Sequence, residues 1–280
     1  MADLVMRKST ETSLIVPAVW SEKYYEVLLA ELPFNALISK DYEGEIQALG
    51  DRVKISQIPE FADATEVAEG VRNDADAVTI TQQELVINKR IAKDFIVTNE
   101  ASLQSLPFVQ ALQDMAIYAI NKKIQAVIIG LIVPHAAAPD HSIAYGTGTT
   151  LALSDILAVK ELLDNANVPM ADRHAVMGPS ILNDVFNITG FTSSDFVASG
   201  SPLASGELPA QLLGFMPHHT TVVGTTSYWM HKSFFTMAAQ QALQIKQYDL
   251  GVDGTRAQRV NIDTLVGFKQ LDSLRVATLG

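Results

Sequence analysis

DRVKISQIPEFADATEVAEGVRNDADAVTITQQELVINKRIAKDFIVT, Asp51 to Thr98, holds two arms of strand-like sequence around a polar middle. In RVKISQI, Val53 and Ile55 point to one face and Lys54 and Ser56 to the other, the period of two that a half-covered strand shows. AVTITQ (77–82) and ELVINKRI (84–91) are rich in β-branched residues and read as the returning arm. Between them, Glu60 to Ala77 carries six acids and one base over 18 residues. That is too polar for a core and long for a hairpin connection, so it reads as a functional or mobile loop. A two-stranded ribbon has little to bury its apolar face against. Two readings stay open: an ordinary sheet within the chain, or an extended arm that docks on a neighbour.

The sequence after the ribbon carries the strongest helical signal. Ser105 is placed to cap, Pro107 is tolerated in a first turn, and PFVQALQDMAIYAINKKIQAVIIG runs to Gly130 with only Asp114, Lys122 and Lys123 charged. About 25 residues at ~1.5 Å each give a rod of roughly 37 Å. Most of this helix is expected to be buried, as a spine for other elements. Before the ribbon, residues 1 to 16 read as a loose arm. A short amphipathic helix follows between Pro17 and Pro33, with Trp20, Tyr24, Val27, Leu28 and Leu32 in register.

After the long helix, Pro134 to Gly148 reads as a loop and a domain boundary. An α/β unit follows. Ser154 caps a helix through Leu163, HAVMG (174–178) is a buried strand, and PSILNDVF (179–186) opens a helix on its proline. Thr189 to Gly206 reads as a long loop. TTVVG and YWMHKSFFTMAA read as strands, and the last 25 residues as a long strand, a turn near Asp272 and a final strand. There is no internal repeat.

Composition bounds the function. The chain has 280 residues, 48% hydrophobic and 18% charged, which is globular and excludes extensive disorder. The net charge of −11 argues against a protein whose main affinity is for nucleic-acid phosphates. Cysteine is absent, which removes disulfides, thiolate nucleophiles and Cys-based metal sites. MADLVMRKST lacks an apolar stretch of signal-peptide length. The most apolar window, AVIIGLIV (126–133), is far short of the ~20 residues that span a bilayer. A protein made and kept in a cytoplasm is expected, with no membrane contact.

The chemical motifs are thin. Gly146-Thr147-Gly148-Thr149-Thr150-Leu151 has leucine where a dinucleotide fingerprint needs its third glycine, and no strand precedes it. His135, Asp140 and His141 share a loop but show none of the rigid support that metal ligands require. His218 and His219 are adjacent and would point apart in a strand. Gly178-Pro179-Ser180 lacks the second glycine of a nucleophile elbow, with Leu182 in its place. Catalytic, cofactor-binding and metal residues are therefore given as none, and no cofactor is expected.

The succession itself is a pattern. VPAVWSEKYYEVLLAELPFNALI (16–38) and EGEIQALGDRVKIS (43–56) lead into the ribbon, and the long helix follows. Then come HAVMGPSILNDVF, LPAQLLGFMPHHTTVVG (208–224), KSFFTMAAQQALQIKQYD (232–249) and DTLVGFKQLDSLRVATL (263–279). Over nearly the whole chain this resembles the major capsid protein of tailed bacteriophages, the Hong Kong-type capsid fold. The resemblance implies an α+β fold with an N-terminal arm and short helix (1–38) and an extended hairpin loop (39–100). A spine helix of a peripheral domain (101–134), an α/β axial domain (135–250) and C-terminal strands returning to the peripheral domain (251–280) complete it. It implies a non-enzymatic virion protein that self-assembles as pentamers and hexamers, through hairpin and N-arm contacts, into an icosahedral shell around double-stranded DNA. The DNA would be touched weakly and non-specifically. A separate scaffolding protein is expected because only about 20 residues precede the first helix, together with a portal protein and, optionally, a decoration protein. Assembly would take place in the bacterial host cytoplasm. Lys89 and Lys93 lie in the ribbon and are given no crosslinking role. An encapsulin-type shell around cargo enzymes and a soluble α+β oligomeric enzyme are the alternatives.

Overall fold

The computed structural model describes residues 29–43, 52–61, 63–64, 66–70, 72, 77–98, 106–145, 150–192, 211–250 and 257–280. The chain divides into two compact units, 1–30 and 31–280, and the fold below is that of the second. Most of the expected helix between Pro17 and Pro33 lies outside the described residues. Its last part, residues 29–32, is not helical, since Pro33 disfavours helical backbone in the residue before it. The helical turn instead begins after the proline, as α1 (Phe34–Leu37).

The expected ribbon is present. β1 (Arg52–Gln57) pairs antiparallel with the start of β2 (Thr81–Thr98), Arg52 opposite Val86 and Gln57 opposite Thr81. β2 does not stop where β1 does. From Ile87 to Thr98 it pairs with β8 (Ala257–Gln270), across a bulge between Ile87 and Lys89. β8 pairs in turn with β7 (Phe235–Asp249), giving an antiparallel sheet in the order β1-β2-β8-β7.

α2 (Leu106–Leu131) lies against β2 and β8. Its length matches expectation, but its burial does not. Ala116, Ile120, Ile124 and Ile128, spaced by four, form one buried stripe, whereas Met115 and Leu131 are exposed. The reason is geometric: a sheet on one side covers one face of a helix, however apolar the other face is.

The second sheet is mixed, in the order β3-β9-β6-β4-β5. It comprises β3 (Ser142–Ile143), β4 (Arg173–Met177), β5 (Met216–His219), β6 (Ser227–His231) and β9 (Val276–Leu279). Both its faces are covered. Val176, Met230 and Val276 join the α2 stripe, Phe34, Phe234 and Phe235 in one core. Ala175, Met177, Trp229, Ala277 and Leu279 face the other way, into a second core with α3 (Leu153–Asn165) and α4 (Pro179–Asn187). Burial on two faces is why HAVM reads as an unbroken apolar run without alternation.

Three local expectations are corrected. α3 is capped at Ala152, not Ser154: the Asp155 carboxylate accepts the Ala152 N–H at 3.0 Å, and Asp184 accepts that of Leu151. The strand near residue 220 is MPHH, not TTVVG. Thr220 Oγ1 accepts the Val222 N–H and winds residues 221–223 into a single 3₁₀ turn. The expected loop from Thr189 begins with a helical turn, α5 (Thr189–Thr192). The turn at Asp272 is as expected: its carboxylate accepts the Leu274 N–H at 2.9 Å.

Candidate assembly surfaces

The ribbon has a covered root and an uncovered end. At the root, Leu85, Ile87 and Ala238 are buried together, with Tyr42, Val53, Ile55 and Leu265 packed around them. Beyond it, every described residue from 58 to 80 is exposed, including Ile58 (72%), Phe61, Val67, Val78 and Ile80. A large apolar side chain gains about 1.5–3 kcal/mol on full burial. Five such side chains on one arm leave that gain unrealised in the single chain.

Ion pairs stiffen the sheet that carries the arm. Arg90 on β2 donates through Nε (2.9 Å) and Nη2 (2.5 Å) to Asp263 on β8, whose other oxygen accepts from Gln241 on β7 at 3.2 Å. Further along, Arg259 and Asn261 both donate to Asp94, and these hydrogen bonds, Arg259 first, hold its carboxyl below the usual range. Lys89 is half-buried and Lys93 exposed on this stretch of β2, opposite Val266 and Ile262.

A cleft of about 250 Å³ opens where the ribbon meets the body, lined among others by Asp41, Ile55, Gln57, Asp272 and Arg275. Its charged groups are already engaged. Asp41 accepts from Ser39 Oγ at 2.6 Å, and Arg275 donates to Asp272 at 3.0 Å and to Ser233 Oγ at 2.6 Å.

The motifs weighed in the sequence fall in separate places. His141 is fully buried, with Nδ1 3.1 Å from the Val276 carbonyl oxygen, and its ring stands edge-on to His135 at 5.8 Å. Asp140 does not join them: its carboxylate accepts the Ser142 N–H at 2.8 Å. Ser180 lies exposed in the first turn of α4. Gly146 to Thr149 fall outside the described residues, as does much of the Glu60–Ala77 acidic run. His219 lies 3.8 Å from Glu31, while His218 turns to His174, its Nε2 3.1 Å from His174 Nδ1. Sequence reasoning missed this last pair. The two residues are 44 apart, and only the parallel β4–β5 register, Val176 beside His218, brings them together.

At the α3–β4 corner, Arg173 is buried. It donates to the carbonyls of Val168 (2.6 Å) and Pro169 (2.9 Å), pairs with Asp164 (2.7 Å) and lies over the Phe215 ring. Lys160 also donates to Asp164 and, with Arg173, holds its carboxyl low.

No family model matches the chain, and no curated protein matches it. Solved structures do. The chain superposes on a structure of Mycobacterium phage Che8 with a TM-score of 0.74 at 21% identity, covering 95% of this chain and 97% of that one. For the capsid structure of cyanophage P-SCSP1u the TM-score is 0.75 at 13% identity, with 96% and 93% covered. For the capsid asymmetric unit of cyanophage Pam1 it is 0.74 at 13% identity, with 100% and 98% covered. Over nearly its whole length the chain thus matches phage capsid structures, and it has the phage capsid fold.

Proposed function

We propose that the chain is the major capsid protein of a tailed bacteriophage, a structural subunit without catalytic activity. The observation that carries this reading is the arm: a ribbon whose root is packed and whose end displays five apolar side chains, on a fold found in phage capsids. Copies would meet as pentamers and hexamers through the hairpin and the N-terminal residues. Such contacts are heterologous, so rotation closes them into rings. The sheet carrying the arm, with α2 and the C-terminal strands, serves as the peripheral domain. The five-stranded sheet with α3 and α4 serves as the axial domain. The shell assembles in the bacterial cytoplasm with a separate scaffolding protein and a portal, and a decoration protein can clip its outside. It becomes the virion wall around double-stranded DNA. A net charge of −11 suits a wall that confines DNA without gripping it.

The test is negative-stain electron microscopy of the purified protein, alone and co-expressed with its neighbouring genes. Closed, uniform shells are expected, and their nucleic-acid content separates a virion from a cargo compartment. Only monomers and small oligomers under every condition would overturn the proposal.

A further inference from the structure

The pairing of His174 with His218 belongs to none of the surfaces above. The two rings lie 5.2 Å apart, tilted by 46°, with the Nδ1 of one 3.1 Å from the Nε2 of the other. They join β4, a fully buried strand, to β5, which among the described residues pairs along its length with β4 alone. We infer that this pair is an acid-released latch on β5: it holds while at most one of the two rings is charged and opens when both are.

The argument is one of proton count. With both rings neutral, one facing nitrogen carries a hydrogen and the other accepts it. Adding a proton keeps that bond and makes it charge-assisted. Adding a second leaves two N–H donors facing each other at hydrogen-bond distance with no acceptor between them. The surroundings set the order. Glu31, from the segment before α1, favours charge on His218, so His218 takes the first proton and donates Nε2–H to His174. His174 faces His218, His231 and Lys232, with Asp172 opposing them, and resists the second. His231 itself faces Arg275 and Arg173 as well as Asp172. His219 lies 3.8 Å from Glu31, on the other side of the strand from His218. Burial holds both His174 and His218 below the ordinary imidazole value, so the pair is neutral, and closed, at neutral pH.

The opening is local. Phe215 stays packed edge-on against Trp229 at 5.0 Å, and the Thr220 N–H donates to the Met177 carbonyl, so both ends of β5 remain fixed while the middle lifts. The sign follows directly. Both groups have folded values below their unfolded one, so the latch is fully present above the ordinary value, persists through the first protonation and is lost as pH falls toward the second, lower value.

The test uses the full-length chain. Histidine-selective ¹⁵N NMR follows the ring nitrogens between about pH 4.5 and 7.5, and hydrogen exchange corrected for intrinsic rates follows the amides of Met216, His218 and His219 over the same range, Pro217 having none. Two distinct ring titrations are expected, both below the ordinary imidazole value of ~6.5. Opening of 216–219 should rise by up to about tenfold per pH unit between the ordinary imidazole value and the second titration, and level off below it. In H218Q, which keeps a neutral donor and acceptor, the acid-dependent opening should vanish. Independent titration of both rings near ~6.5, or the same acid-dependent opening in H218Q, would overturn the latch. If H218Q does not fold, the separation of the two titrations in the unmodified chain decides alone.

Discussion

At Gly178 two backbones touch. A Cβ added there would lie 2.0 Å from the carbonyl oxygen of Gly224, so no side chain fits between the start of α4 and the turn before β6. Gly267 on β8 is nearly as tight: its Cβ would meet the Val86 carbonyl oxygen at 2.6 Å and Ile87 Cα at 3.0 Å. That close approach lies beside the Ile87/Lys89 bulge, where β2 passes from one partner strand to the next. Gly130, near the end of α2, has nothing within 4 Å of a built Cβ. Opposite outcomes are therefore expected from the same chemical change. Gly267→Ala should lower stability by about 1–3 kcal/mol, because backbone cannot move aside as a flexible side chain can. Gly130→Ala should raise it by up to about 1 kcal/mol through helix propensity. Calorimetric melting of the two variants checks both: an unchanged or raised melting temperature in Gly267→Ala would contradict the packing there, and a lowered one in Gly130→Ala the open space around it.

Among the elements, α2 shows what a single buried stripe implies for energetics. Ile128, fully buried in the core beneath α2, should cost about 2–4 kcal/mol when cut to alanine. Met115→Ala on the uncovered face should stay within about 0.5 kcal/mol in the single chain. Urea unfolding of the two variants checks the contrast. The existence of this helix was legible because its apolar run is long and bounded by Pro107 and Gly130. Which face is buried was not, since an apolar sequence all round carries no phase. HAVM was legible from its short apolar run, and the closing strand pair from its β-branched residues and the Asp272 turn. MPHH was not, because a polar edge strand lacks the alternation that marks a half-buried one. Its partner His174 was out of reach for a further reason: no local pattern encodes a parallel register between strands 44 residues apart.

For the molecule as a whole, the division between packed root and uncovered arm makes folding and assembly separable. Replacing residues 58–79 by a tight turn removes no buried side chain among the described residues and leaves the Leu85/Ile87/Ala238 cluster in place. The shortened chain should keep its circular dichroism and melt cooperatively, yet fail to form shells on co-expression. Loss of the cooperative melt would mean that the arm belongs to the chain's own core. The acidic balance of the arm, six acids to one base over Glu60–Ala77, makes two such arms repel each other at low ionic strength.

β2 passes without a break from the arm into the body: one strand serves β1 at its start and β8 for the rest of its length. The arm therefore has no joint in the ordinary sense. It behaves as a leaf spring clamped beside Gly267, and its resting angle belongs to the twist of the sheet, not to a loop. A tug at its far end travels along one peptide segment, across the bulge where the stiffness changes, into the face on which α2 rests. Whatever grips the arm thereby leans on the long helix as well.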